Sequence, residues 1–204
     1  IPAATYSLFE VTRPDHRTRR DQLLWLLALV AAGAVLRFWG LGDIGLHRED
    51  EDTSALPVLG LLETGTSVYP SGMIYNRALL QTWLMAGSVW LFGNSEWSLR
   101  LPSALCGIAL IVLGWQMGRR FLAPRWNLAF AAVLAFLPAL ISASQTARMY
   151  IFLLASLAAF ATLVFRWERT GNTRDFLWAL ATLVLALQFH TLAVFAALLF
   201  FFPT

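Results

Sequence analysis

The sequence has no lysine, a single cysteine and few charged residues of either sign. All fifteen basic residues are arginine, and charged residues make up 13% of the chain whereas hydrophobic residues make up 58%. Because a soluble domain usually has about 25% charged residues, this composition excludes a soluble protein and indicates an integral membrane protein. The one cysteine, Cys106, lies in an apolar run, which excludes a disulfide framework and a cysteine-ligated metal site.

The net charge of +3 and the pI of about 9.6 do not indicate nucleic-acid binding. The arginines flank apolar runs instead of forming a basic stripe interleaved with aromatic residues in a polar region. Membrane lipid is therefore an expected partner, and nucleic acid is not. Arginine also suits contacts with phosphate and carboxylate groups, because its planar guanidinium donates paired hydrogen bonds.

Long apolar runs predict the architecture. The first, 23–41, is long enough to cross about 30 Å of hydrocarbon as a helix that rises about 1.5 Å per residue. The others are 78–93, 101–118, 126–144, 149–165 and 176–202. The predicted fold is all-α: a polytopic membrane helix bundle of about five transmembrane helices, with interfacial helices in a long first external loop.

The run 78–93 decides the predicted topology, because it is short and carries Trp83 and Trp90, which favour the membrane interface. If this run lies along the surface, ten loop arginines fall on the side of the N-terminus and four on the other side. If it crosses the membrane, the counts become six and eight. The positive-inside rule favours the first arrangement and a cytoplasmic N-terminus.

This topology divides the chain into a cytoplasmic segment, 1–22, and a transmembrane module, 23–204, with an external loop, 42–99. The last run either crosses the membrane once or breaks near His190. Three regions are then expected to converge on the outer surface: the acidic run 49–52, the turn 144–150, and His190. The chain begins at Ile1 and stops directly after an apolar stretch, so we expect it to be a portion of a longer protein.

The acidic run Glu49-Asp50-Glu51-Asp52 is the main candidate for chemistry, because carboxylates this close repel one another unless a cation, a proton or a reaction requires them. The residues alone leave three interpretations open. The run can hold a catalytic base, it can favour the N-terminus of a helix that begins at Thr53, or it can bind a divalent cation such as calcium or manganese. One acidic loop does not specify a metal, so a divalent cation at this loop stays an open alternative and no cofactor is assigned.

An ordered series of motifs carries a resemblance to a known family. The motifs are Leu36-Arg37-Phe38 with Leu41-Gly42-Asp43, Gly65 with Tyr69-Pro70 and Tyr75-Asn76-Arg77-Ala78-Leu79, Phe92-Gly93 with Ser95-Glu96-Trp97 and Arg100-Leu101-Pro102-Ser103-Ala104, Gly118-Arg119-Arg120-Phe121, and Ala147-Arg148-Met149-Tyr150. Over roughly residues 20–200 the chain resembles the GT-C glycosyltransferases, specifically the protein mannosyltransferase and aminoarabinose transferase-like branch. The resemblance covers the N-terminal part of that module.

The resemblance implies transfer of a sugar from a polyprenyl-phosphate donor to an acceptor outside the cytoplasm, in a bacterial cytoplasmic membrane. It assigns the catalytic base to Glu49, with Asp50 as the close alternative, since the family's acid pair is typically Asp-Glu. It implies that Arg77 and Arg148 hold the lipid phosphate. The further predicted binding residues are Tyr150, His190 and Arg37.

Each of these residues also has a structural interpretation. Arg77 can contact ordinary headgroups, Arg148 and Tyr150 can anchor a helix end, His190 can be a packing residue, and Arg37 can either snorkel to the interface or pair with one of the acids. The family often has a second acid where this chain has Thr146. The rival hypothesis is accordingly a non-catalytic, shortened relative that serves as a structural or lipid-binding subunit of a larger membrane complex.

Overall fold

The computed structural model describes residues 16–43, 45–46 and 49–200, with side chains described for 20–43, 45–46, 51–198 and 200. Within these ranges the chain is helical, and the only strand-like feature is an isolated antiparallel bridge between Val68 and Ile74. The elements are α1 (His16–Phe38), α2 (Glu49–Thr64), α3 (Leu79–Phe92), α4 (Glu96–Gly118), α5 (Pro124–Phe136), α6 (Pro138–Ser144), α7 (Tyr150–Thr170), α8 (Thr173–Phe189) and a 3₁₀ helix (Thr191–Phe200). The predicted all-α fold is confirmed.

Among the described residues, three helices are long and apolar enough to cross a membrane: Arg20–Phe38 within α1, α4 and α7. The pair α5 and α6 gives a fourth span if the two are counted as one despite a bend of 53°. The predicted count of about five is not confirmed. The run 176–202 divides at His190 into a helix of 17 residues and a 3₁₀ helix of 10, and each is shorter than the roughly 20 residues that a span requires.

The bend between α5 and α6 has a local cause in Pro138. Proline lacks an N–H group and disfavours the helical conformation in the residue before it. Leu137 accordingly has an extended ψ of 117°. The apolar run 126–144 therefore forms two helices rather than the one that its hydropathy predicts, and carbonyl groups near the end of α5 lose their helical partners.

α4 is the centre of the bundle, where it packs against α1, α3, α5, α6 and α7. Its start is fixed by a capping box in which the side chains of Ser95 and Ser98 bind each other's backbone N–H groups. Glycines let neighbouring helices come close, as is common in membrane bundles. At Gly114, for example, an added Cβ would collide with the side chain of Leu134 on α5.

α3 buries several polar side chains and exposes its two tryptophans. Its buried face includes Gln81, Thr82 and Ser88, whereas Trp83 and Trp90 are 60% and 76% exposed. With 14 residues the helix is about 21 Å long, which is less than the hydrocarbon thickness of about 30 Å. Both properties support a helix that lies along the membrane surface. The side of the membrane on which it lies stays a prediction.

Candidate active-site region

A buried ion pair between Glu51 and Arg100 lies at the centre of the candidate site. The two side chains are 2% and 5% exposed, and Nη2 of Arg100 lies 2.9 Å from Oε2 of Glu51. Nε of Arg100 donates to Oε1 at 3.1 Å, so the guanidinium and the carboxylate form a two-point contact. Paired charge-assisted hydrogen bonds of this kind are the strong ones in proteins.

Further hydrogen bonds connect this pair to two other segments of the chain. Oε1 of Glu51 accepts the backbone N–H of Ala147 at 2.7 Å, which joins α2 to the turn before α7. Arg100 donates to the carbonyl oxygens of Leu41 at 2.9 Å and Gly45 at 3.1 Å, beyond the end of α1. Both carboxylate oxygens of Glu51 accept hydrogen bonds within the protein and the side chain is 2% exposed, so its contacts in the structure are structural ones.

The acidic run occupies the first turn of α2, which begins at Glu49 and not at Thr53. The structure thus supports the interpretation in which acids favour a helix N-terminus, with the helix starting earlier than expected. Asp52 is exposed. The side chains of Glu49 and Asp50 lie outside the described residues, so their assignment as the catalytic base and its alternative stays a prediction.

Arg37 is fully buried, at 0% exposure, so the expectation that it snorkels to the interface is wrong. Its guanidinium donates to the carbonyl oxygens of Leu134 at 2.9 Å and Ala135 at 3.0 Å, at the break that Pro138 creates. It also donates to Gly33 O at 3.0 Å and to Ser144 Oγ at 3.1 Å. Among the described residues, the partners of Arg37 are three carbonyl oxygens and a hydroxyl. The guanidinium thereby satisfies two carbonyl groups at the broken end of α5.

The close approach around Arg37 requires a glycine on α4. A Cβ added to Gly107 would overlap Oγ of Ser144 and lie 2.8 Å from Nε of Arg37. Ser144 in turn donates to Leu140 O at 2.6 Å. Arg37, Gly107 and Ser144 therefore form one structural contact that joins α1, α4 and α6. A role of Arg37 in binding substrate stays a prediction.

The turn between α6 and α7 connects several helices. Nε2 of Gln145 donates to Leu36 O at 2.9 Å and to Trp39 O at 3.0 Å, at the end of α1. Thr146, at the position where a second acid was considered, donates its hydroxyl to Ala143 O at 3.2 Å. The turn thus holds α1 in place through an amide side chain.

Arg148 and Tyr150 lie together beside α2. Nη1 of Arg148 donates to Oγ1 of Thr53 and Nη2 donates to the Tyr150 hydroxyl, both at 3.3 Å. The guanidinium carbon also lies 5.4 Å from the centre of the Tyr150 ring. The structure therefore brings these two predicted residues into contact with each other and with the helix that begins with the acidic run.

Arg77 and His190 line one cavity of about 530 Å³, at the junction of α8 and the 3₁₀ helix. The cavity also contains two side-chain amides, a hydroxyl and several apolar groups: Asn76, Ala78, Leu79, Met149, Leu187, Gln188, Phe189 and Thr191. Nδ1 of His190 accepts the N–H of Leu192 at 3.1 Å. In the neutral imidazole this bond leaves the proton on Nε2, which is then a hydrogen-bond donor.

The backbone beside Arg77 is strained. Ala78 has φ 45° and ψ 43°, and it is the only non-glycine residue with positive φ in the described part of the chain. The left-handed conformation is unfavourable for residues with a Cβ, and such strain occurs often at functional sites. Here it determines how the chain leaves the cavity wall at Arg77 and enters α3.

A second cavity, of about 840 Å³, lies between α2 and the start of α4. Its acidic members are Asp43, Asp52 and Glu96, and Trp97 also lines it. In the residues that the structure describes, no group of three or more histidine, cysteine, aspartate or glutamate side chains is arranged to hold a metal ion. The predicted divalent cation at the acidic loop therefore stays a prediction.

The predicted convergence of three regions is found at one end of the bundle. The acidic run meets the turn through Glu51 and Ala147, and the turn meets the His190 region through Met149. Sequence reasoning missed the pair of Glu51 and Arg100. One signal was available: Arg100 lies at the start of a long apolar run, where an unpaired charge is costly and a carboxylate partner is to be expected.

These features define a class: an all-helical membrane protein with arginine, histidine and hydroxyl side chains gathered at one end, next to an acidic helix start. Comparison with known families makes the class specific. The model of the dolichyl-phosphate-mannose-protein mannosyltransferase family matches residues 76–203, and the chain belongs to this family. No curated protein and no solved structure matches the chain.

The range matched by the family model includes only part of the candidate site. It contains the predicted residues Arg77, Arg148, Tyr150 and His190, and it begins after α2 has ended. The acidic run therefore lies outside the matched range. The family membership confirms the resemblance seen in the sequence and supports a membrane protein of the glycosyltransferase type.

Proposed function

We propose that the chain is part of a membrane glycosyltransferase that takes a sugar from a polyprenyl-phosphate donor and transfers it to an acceptor outside the cytoplasm. The observation that carries this proposal is the cavity that Arg77 and His190 share. Its remaining wall supplies amide and apolar groups, which suit a phosphorylated lipid. The family to which the chain belongs supports the reaction type.

The transfer reaction needs cationic groups at the departing phosphate. The acceptor oxygen forms a bond to the anomeric carbon, and the bond from that carbon to the phosphate oxygen breaks, so that negative charge accumulates on the phosphate. A guanidinium stabilises that charge with paired hydrogen bonds. We assign this role to Arg77, with Nε2–H of His190 as a second donor.

The reaction also needs a base that takes the proton of the acceptor hydroxyl. We assign it to Glu49, with Asp50 as the alternative. Glu51 is not a candidate, because its oxygens bind Arg100 and Ala147. A divalent cation at the acidic loop is a secondary proposal, since oxygen ligands suit calcium and manganese.

Arg148 and Tyr150 are proposed to bind the donor phosphate from the side of α2. Their contact with Thr53 supports this assignment, because it keeps a cation and a hydroxyl close to the acidic start of α2. Arg37 is proposed to act indirectly, by holding the broken helix α5 and thereby the turn that carries Arg148.

Two observations favour the rival function, a non-catalytic subunit of a larger membrane complex. Glu51, a buried acid of the acidic run, is neutralised by Arg100 within the protein. Thr146 stands at the position where the family often has a second acid. In this alternative the cavity binds membrane lipid without transfer of a sugar.

We propose that the transferase lies in a cytoplasmic membrane, with the acidic run on the side that faces away from the cytoplasm.

A transfer assay in proteoliposomes tests the proposal, with a polyprenyl-phosphate sugar as donor. Replacement of both Glu49 and Asp50 by Ala should abolish transfer while the protein still inserts into the membrane. Glu63→Gln, an exposed acid later on the same helix, is the matched control and should retain the wild-type rate. Wild-type transfer by the double variant would refute the assignment of the base.

The phosphate site has its own experiment. Arg77→Gln should raise the KM for the donor roughly tenfold or more, because it removes charge-assisted hydrogen bonds to phosphate. Arg125→Gln, an exposed arginine at the far end of the bundle, is the control. An unchanged KM in Arg77→Gln would show that the lipid phosphate binds elsewhere.

A further inference from the structure

Four arginines line a separate cavity at the opposite end of the bundle. The cavity has a volume of about 480 Å³, and its lining residues are Trp115, Gln116, Arg119, Arg120, Thr162, Arg166 and Arg169. Arg119 and Arg120 directly follow α4, and the other two arginines lie near the end of α7. Since α4 has 23 residues, this cavity lies about 30 Å from the candidate active site.

The lining of this cavity contains no carboxylate. The acid that packs against the arginines is Asp175 on α8, which is buried and forms an ion pair with Arg166 at 2.9 Å. Arg119 lies over the Trp115 ring, with its guanidinium carbon 4.7 Å from the ring centre. Among the described residues that line the cavity there are four arginines and no acid, so its wall carries excess positive charge.

Two hydrogen-bond donors in the wall have no protein partner among the described residues. Nη1 of Arg120 and Nε1 of Trp115 are buried and unbonded, and Trp115 is only 7% exposed. Burial lowers the pKa of Arg120, and repulsion by Arg166 and Arg169 lowers it further, whereas Asp175 opposes this effect. An unpaired buried donor is costly, so this arrangement calls for an anion with several acceptor oxygens.

The position of the cavity indicates which anion fits. It lies where two candidate membrane spans, α4 and α7, end together. Next to it, the exposed Phe121 packs edge-on against Phe165 with ring centres 4.9 Å apart, which gives an apolar surface for acyl chains. Basic pockets between the ends of transmembrane helices suit lipid headgroups, and guanidinium groups bind phosphate oxygens in pairs.

We propose that this cavity binds the phosphate headgroup of an anionic membrane lipid, and that Arg120 and Arg169 supply its principal contacts. The bound lipid neutralises the arginine cluster and holds the ends of α4 and α7 together. This site is distinct from the proposed donor site, and it does not depend on whether the protein transfers sugar.

Native mass spectrometry of the purified protein, titrated with phosphatidylglycerol, tests this proposal. The wild type should retain phosphatidylglycerol in preference to phosphatidylcholine, and millimolar inorganic phosphate should not displace it. Arg120→Gln and Arg169→Gln should each weaken the binding of phosphatidylglycerol about tenfold. The matched control is Arg125→Gln, since Arg125 is exposed, faces the Trp126 ring and does not line the cavity.

Three results would overturn the proposal: equal retention of phosphatidylglycerol in the cavity variants and the control, equal retention of phosphatidylcholine, or displacement of the lipid by inorganic phosphate. The last would assign the cavity to a free phosphate. Thermal unfolding followed by circular dichroism checks that the variants fold. If Arg120→Gln does not fold, Arg169→Gln decides the outcome, because Arg169 is exposed and its replacement leaves the core intact.

Discussion

At the end of the bundle where α4 begins, a buried arginine has a buried carboxylate as its partner. At the end where α4 stops, four arginines line one cavity, and no acid is among the described residues that line it. Glu51 and Arg100 form two hydrogen bonds within the protein. Arg120 has an Nη1 group with no described protein partner. Charged groups in this fold therefore serve two purposes. The pair of Glu51 and Arg100 joins helices, and the arginines at the other end are proposed to bind an external anion.

The largest expected effect comes from breaking the internally paired end. Glu51→Gln or Arg100→Met removes one member of the buried ion pair, and breaking a buried pair in this way typically costs about 3–5 kcal/mol of stability. Thermal unfolding in detergent measures the change. The double variant should recover much of the loss, because two neutral side chains need no ion pair.

Glu96→Gln is the control for that comparison. Glu96 also approaches Arg100, at 3.9 Å, but it is 34% exposed, and partly exposed pairs contribute roughly 0–1 kcal/mol. Single variants of Glu51 and Arg100 that unfold at the same temperature as Glu96→Gln would show that the buried pair does not hold the helices together.

A smaller effect is expected from Gly107→Ala, which inserts a methyl group between Ser144 and Arg37. Overpacking of this kind typically costs about 1–3 kcal/mol. Gly87→Ala is the matched control, because nothing lies within 4 Å of the added Cβ at that helical position. Equal unfolding temperatures for the two alanine variants would mean that the Arg37 contact adapts without cost.

The smallest effect is expected from Ala78→Gly, which removes the Cβ from the left-handed position beside Arg77. Relief of that strain should raise stability by up to about 1 kcal/mol, since the penalty for a residue with a Cβ is about 1–2 kcal/mol and glycine gives part of it back in backbone entropy. Gly93→Ala, at φ 87°, should change stability in the opposite direction. A loss of stability in Ala78→Gly would argue against strain at this position.

The sequence was sufficient for the features that depend on composition and order. Scarce charge and long apolar runs predict a helical membrane protein, and the ordered motifs predict the family that the comparison confirms. The sequence left two alternatives for the last apolar run, a single span or a break near His190, and the structure shows the break. The predicted count of about five spans is not confirmed, because hydropathy does not register the backbone changes at Pro138 and His190.

The site was less accessible from sequence, because its contacts join residues far apart in the chain. Four adjacent acids look equivalent in a sequence, and only the rotation of α2 against α4 places Glu51 in the interior beside Arg100. Arg37 appears in the sequence as a charge near a helix end. Two of its partners, the carbonyl oxygens of Leu134 and Ala135, become available only because a proline about 100 residues later breaks another helix.

The hydrogen bond from Ala147 to Glu51 restricts how the cavity at Arg77 and His190 can open. Moving the segment that carries Met149, which lines this cavity, would strip a donor from a buried carboxylate, so we expect that part of the wall to stay fixed when the cavity binds a ligand. Thr191 also lines this cavity and begins the 3₁₀ helix Thr191–Phe200, whose hydrogen-bond geometry is poorer than that of an α-helix. If the cavity binds the proposed polyprenyl-phosphate donor, we expect the isoprenoid tail to enter beside Thr191, where the backbone hydrogen bonds are weaker.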